Sequence, residues 1–103
     1  MVLVTTEYIE GKKFEMLGMV KGATIQTVHM GKDIMNGLKT LVGGELSSYT
    51  EMMDKARGVA TKRMCEDAQA MGADAIVGIR YSSSAVMQSA AEIMVYGTAV
   101  KYI

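Results

Sequence analysis

Cys65 and His29 are the one thiol and the one imidazole in this 103-residue chain. Residues of these types make a nucleophilic pair when the imidazole lies within hydrogen-bond reach of the sulfur. At about 100° per residue, Cys65 falls roughly 140° from the apolar stripe of the helix that carries it, one heptad after Gly58. The simplest reading is a small residue where a neighbouring element comes close. His29 follows a strand and precedes Gly31, a junction that suits an exposed or hydrogen-bonded ring. A zinc site needs four protein ligands when structural and three when catalytic. One Cys and one His fall short within a single chain, and only symmetry could multiply them. The eleven methionines are a second soft-ligand source, because thioethers suit Cu(I). Their spacing argues for packing. Met52, Met53, Met64 and Met71 share a helix stripe, and Met16, Met19 and Met94 sit in predicted strands. No residue is therefore assigned a catalytic, metal-binding or cofactor-binding role.

Phosphate-binding glycine motifs are absent, as is the G-x-S-x-G nucleophile turn. The best polar candidate is the turn GGELSSY at 43–49. Free amides at the start of the following helix could hold an anion. This makes Glu45, Ser48 and Tyr49 the candidate ligand-binding residues. Ser48 and Glu51 also match a capping box, which would satisfy the same amides from within the chain.

These residues must be positioned by a small set of elements. Val2 to Thr5 reads as a short strand, and Thr6 to Lys13 as a turn centred on Gly11. Phe14 to Val28 reads as two strands or one bent strand, with Gly18 and Gly22 marking bulges or close backbone approach. Ile34, Met35, Leu38, Leu41 and Val42 recur at helical spacing, so a first helix is expected over 32–42, stopped by Gly43-Gly44. The long second helix carries Tyr49, Met52, Met53, Ala56, Ala60, Met64, Ala68 and Met71 on one stripe. Its small and unbranched side chains let it pack close to a sheet. Gly72 ends it. Ala75 to Tyr81 is apolar on both faces and reads as an interior strand, followed by a polar connection at Ser82-Ser83-Ser84. Glu92 to Tyr102 is the last strand, also apolar on both faces, so a second subunit is expected to cover one of them.

Length and composition fit a single domain over 1–103. Half of the residues are hydrophobic, which is rich for so short a chain and favours self-association. Lys plus Arg equals Asp plus Glu, at 11 each. With no basic stripe, nucleic acid is not an expected partner. The lone cysteine suits a reducing cytoplasm. No apolar run nears the roughly 20 residues that span a bilayer, so no membrane partner is expected either.

The order Val4-Thr5-Thr6, then Val42-Gly43-Gly44 with Tyr49, then Gly72 to Gly78 (GADAIVG), then Gly97 to Val100 (GTAV), resembles the YbjQ-like family, also called UPF0145 or DUF74. The resemblance covers nearly the whole chain. It implies a bacterial or archaeal protein with an α+β fold and a ring-shaped homopentamer. It also brings a heavy-metal-binding label, and it transfers no catalytic residue.

The resulting expectation is an α+β fold in which a small mixed sheet carries two helices, its strands completed or covered by neighbouring subunits. The function expected is that of a cytoplasmic homo-oligomeric module with no enzymatic activity, binding a small ligand or metal at subunit boundaries. The alternative is an enzyme whose site, built between subunits, draws on Tyr49, Glu45, Arg57 or His29.

Overall fold

The computed structural model describes residues 1–27, 41–42 and 45–103, and for 41–42 and 45–48 it describes the backbone alone. The elements are β1 (Val2–Leu3), β2 (Phe14–Thr27), β3 (Leu41–Val42), β4 (Glu45–Leu46), α1 (Ser47–Ala70), β5 (Ala75–Met87) and β6 (Ala90–Tyr102). Four strands form one mixed sheet in the order β1-β5-β6-β2, and β3 pairs with β4 in a separate two-stranded ribbon. The pairs β2/β6 and β5/β6 are antiparallel, while β1 runs parallel to β5. The helix lies across β2 and β6.

Phe14–Thr27 is one strand with a register shift between Met16 and Gly18, so the bulge expected at Gly18 is present. The close approach expected at Gly22 is present too. A Cβ placed on Gly22 would lie 2.0 Å from the Ala60 carbonyl oxygen and 2.5 Å from the Met64 amide nitrogen. Only a residue without a side chain lets the two backbones meet this closely. The helix contributes Ala56, Ala60, Met64 and Ala68 to the contact, all fully buried against Val20, Ile76, Ile93, Val95 and Ala99.

Gly72 ends the helix by a Schellman turn. Its φ is 77°. The Ala73 amide donates to the Ala68 carbonyl at 3.1 Å, and the Gly72 amide to the Gln69 carbonyl at 3.0 Å. Both groups would otherwise be orphaned at a helix end. Ala73 also packs against the core cluster that contains Ala68.

Along β6 the two-faced pattern is real. Ile93, Val95, Gly97 and Ala99 are buried on the helix side. On the other face the cover comes in part from the chain's own N-terminal segment. Val4, Ile9 and Phe14 pack with Ala75, Val77, Val100 and Tyr102. The segment is tied to β5 by hydrogen bonds from the Val4 amide to the Ile76 carbonyl and from the Gly78 amide to the Thr6 carbonyl. Beyond this cover the face stays open around Met19, Ile25 and Tyr96, each exposed.

Four expectations are corrected. Among the described residues there is one helix. The first predicted helix falls, over 32–40, outside those residues, and its last two positions form β3 instead. Ser82 to Ser84 do not leave the sheet. They continue β5, paired with Met94, Ile93 and Glu92, because β6 supplies the ladder bonds that serine's weak strand preference does not. The methionines are only partly core. Met64 is fully buried, yet Met16 and Met19 are 78% and 73% exposed, and Met71 and Met87 are exposed as well. Finally, α1 begins at Ser47, running directly on from β4. Ser48 therefore lies in its first turn and not at the cap position.

Candidate functional site

A cavity lies where the first turns of α1 meet the end of β2 and the β5–β6 hairpin. It has a volume of about 310 Å³ and is lined by Gln26, Tyr49, Met52, Met53, Ala85, Met87, Gln88, Ser89, Ala90 and Ala91. Helical spacing delivers Tyr49, Met52 and Met53 to one side of α1. On β2, Gln26 follows Val20, Gly22 and Thr24 on the helix-facing side, since alternate strand residues share a face. The hairpin supplies the rest. The register is Ala85↔Ala91 and Met87↔Ala90, with a shift between Ala85 and Met87, at the hairpin end that lines the cavity opposite α1.

The floor of this cavity is thioether and methyl. Its polar groups are the Gln26 and Gln88 amides and the Tyr49 and Ser89 hydroxyls, none of which has a side-chain hydrogen bond among the described residues. A second, smaller cavity of about 100 Å³ is lined by Arg57, Tyr81, Ser82, Ser83 and Ile93. Two of its polar groups, on Arg57 and Tyr81, are already engaged. The Arg57 guanidinium donates to the Asp54 carboxylate, one turn earlier on the helix. The Tyr81 and Thr61 hydroxyls lie 2.7 Å apart.

Of the three ligand-binding candidates, Tyr49 reaches the large cavity. The side chains of Glu45 and Ser48 lie outside the described residues, as does His29. Arg57 lines the smaller cavity, so Tyr49 and Arg57 do not share a site. Cys65 does not stand on an outward face. It is half-buried and packs against the main core, because a helix lying over two strands buries a broad face and not a single stripe. Gly58, seven residues earlier, meets open space, with nothing within 4 Å of the place a side-chain carbon would take.

A heavy-metal centre does not fit the residues described. Among them no three His, Cys, Asp or Glu side chains come together in a way that could hold an ion, and the Cys65 thiol sits among apolar groups. No helix among the described residues is long and apolar enough to cross a membrane.

Sequence reasoning missed the cavity because its lining comes from three segments far apart in the chain. A sequence signal for it existed in part: Met52-Met53 and Met87 are soft, adaptable side chains, and Met87 is followed directly by Gln88.

The chain is similar throughout its length to known proteins. A family model described as "Putative heavy-metal-binding" matches residues 1–103. A UPF0145 protein of Alkaliphilus metalliredigens is 64% identical over 103 residues, covering all of both chains. One from Clostridium novyi is 58% identical, again over the whole of both. An archaeal UPF0145 protein, from Methanosarcina acetivorans, is 55% identical over 98% of this chain and 96% of its own. A crystal structure of a DUF74-family protein from Pediococcus pentosaceus superposes with a TM-score of 0.75 at 14% identity, covering 100% of this chain and 98% of that one. At that identity the match speaks for the α+β fold alone. On the full-length sequence matches, and in agreement with the motifs running from Val4 to Val100, the chain belongs to the YbjQ-like UPF0145 family.

Proposed function

We propose that this chain works as a self-assembling module in which copies of itself complete the sheet. One observation carries the reading: β5 leaves the cover of β1 and the N-terminal segment after Ile79, and its outer edge from Arg80 to Met87 has no strand partner among the described residues. All eight of these residues are exposed. An unpaired strand of this length is a template for another chain. The opposite edge, on β2, is partly blunted. There the Arg63 guanidinium donates to the Ala23 carbonyl at 2.7 Å, and the Lys21 amide points to the Asp67 carboxylate.

The open sheet face supports the same reading. Met19 and Ile25 lie exposed on the face they share with Met94 and Tyr96, interspersed with Lys21 and Glu92; a neighbouring copy would remove their apolar area from water. Edge and face differ, so each copy would offer one surface and accept on another. Contacts of that head-to-tail kind form a ring when the rotation between copies closes, and an open filament when it does not. Five as the number of copies comes from the family resemblance, and a cytoplasmic setting from the unpaired Cys65. Both belong to this proposal.

The test is the mass in solution. Light scattering of the full chain at micromolar concentration should give several times the 11.1 kDa of one copy. The amides of Lys21 and the carbonyl of Ala23 point away from β6, and antiparallel ladders alternate. The outward amides of β5 are therefore those of Tyr81, Ser83 and Ala85. Ser83→Pro removes one of them without breaking a bond to β6, and Ile25→Lys places a charge on the open face. Each should lower the mass while cooperative unfolding persists. A monomeric wild type, or full-mass assemblies of both variants, would defeat the proposal.

A further inference from the structure

The cavity between α1 and the β5–β6 hairpin is lined by residues of one chain, two of which, Ala85 and Met87, also stand on the β5 edge used in the assembly proposal, so each variant's mass in solution is measured beside its affinity. We propose that it binds a small, neutral, planar aromatic molecule with a hydrogen-bonding edge. At about 310 Å³ it stands at the lower end of the roughly 300–1,000 Å³ typical of ligand pockets, enough for a compact ring system.

Its lining specifies the chemistry. Among the described residues that line it, none is a carboxylate, an amine or a guanidinium. A charged ligand would lose water there with no opposite charge from these residues in return. Met52, Met53 and Met87 are polarizable and flexible, and sulfur packs favourably against aromatic rings. The Gln26 and Gln88 amides each offer a donor and an acceptor, and neither is engaged by another side chain among the described residues. An apolar lining with two unengaged amides suits a flat ring that carries its polar atoms along one edge. Three thioethers could also suggest a Cu(I) ion, but a bare ion would leave most of this volume empty and both amides unused.

The probe is 1-N-phenylnaphthylamine, neutral and aromatic, titrated into the full chain and followed by its fluorescence. Saturable binding with one site per chain is expected. Met87 is 66% exposed, so Met87→Glu should fold normally, which a melting curve checks. Its carboxylate in the pocket should weaken the probe by about tenfold or more. The anionic relative 8-anilinonaphthalene-1-sulfonate should bind wild type about tenfold more weakly than the neutral probe, for want of a compensating cation. Ile25→Lys, on the open sheet face, should leave the affinity per chain unchanged even where it lowers the assembly's mass. Four results would overturn the proposal: no saturable binding, affinity unmoved by Met87→Glu, affinity lost in Ile25→Lys, or stoichiometric displacement of the probe by Cu(I). The last would make the three thioethers a soft-metal site.

Discussion

Replacing Gly22 by alanine tests the packing that holds the helix to the sheet. The added methyl would start 2.0 Å from the Ala60 carbonyl oxygen and 2.5 Å from the Met64 amide. That is more than 1 Å inside van der Waals contact. Both obstructing atoms are main chain, so no rotamer change relieves the clash. The helix must rise by something on the order of 1 Å over Val20, Ile93 and Val95, and a gap of that size forfeits a quarter to a half of the dispersion energy of each contact. Overpacking typically costs about 1–3 kcal/mol, and a clash with backbone belongs at the top of that range. Alanine recovers about 0.4–1 kcal/mol by restricting the unfolded chain. The expected net loss is about 2–3 kcal/mol, against a total stability of about 5–15 kcal/mol for a domain. For a chain of this size that is a fall in melting midpoint of roughly 8–24 °C.

The control is the same substitution at Gly58, which lies inside α1 and has nothing within 4 Å. Alanine there should gain about 1 kcal/mol of helix propensity. Thermal and urea midpoints would be measured at one fixed protein concentration, because self-association shifts them. If Gly22→Ala moved the midpoint by less than about 1 kcal/mol, or in the same direction as Gly58→Ala, the helix could not lie on β2 as described.

Gly72→Val should destabilise more than Gly58→Val, since a β-branched residue resists the φ of 77° at Gly72 by about 1–2 kcal/mol; the reverse order in denaturant midpoints would mark the outward face of α1 as an interface. Gly97→Ala should also destabilise, by about 1–3 kcal/mol, because its methyl would meet the Ile76 side chain at 2.7 Å and the Val77 carbonyl at 3.0 Å; a neutral midpoint would sink that expectation. Asp74→Ala should cost about 1 kcal/mol, as the Asp74 carboxylate accepts from the Tyr102 amide at 2.8 Å and ties down the end of β6. Zn(II) calorimetry, and Cu(I) competition under reducing conditions, should show the same weak binding in wild type, Cys65→Ser and His29→Ala. Submicromolar affinity lost in either variant would restore the metal-binding reading, with a site shared among subunits.

Local backbone chemistry made several features legible in the sequence. Gly72 can adopt positive φ wherever it stands, so the helix end needed no tertiary information. Gly22, breaking a strand-like run, signalled close approach, though not which element would approach. The alternation in Ile93, Val95, Gly97 and Ala99 showed that both faces of the last strand need cover, because strand geometry alone assigns residues to faces. Other features depend on which elements meet, and that is a property of the folded chain. Ser82 to Ser84 are strand because β6 runs beside them. Met16 and Met19 are exposed because the N-terminal segment covers only part of that sheet face, whereas Met64 is buried because it projects from the helix onto the sheet. Cys65 is half-buried because α1 straddles two strands, a breadth no helical wheel contains. The cavity is the clearest case. Gln26, Tyr49 and Met87 are brought together by the β2/β6 and β5/β6 registers and the packing of α1 on the sheet, and such long-range juxtaposition leaves no local pattern to read. Tyr49 was legible as a candidate from its place at the helix start, and only the folded hairpin opposite it decided what that position faces.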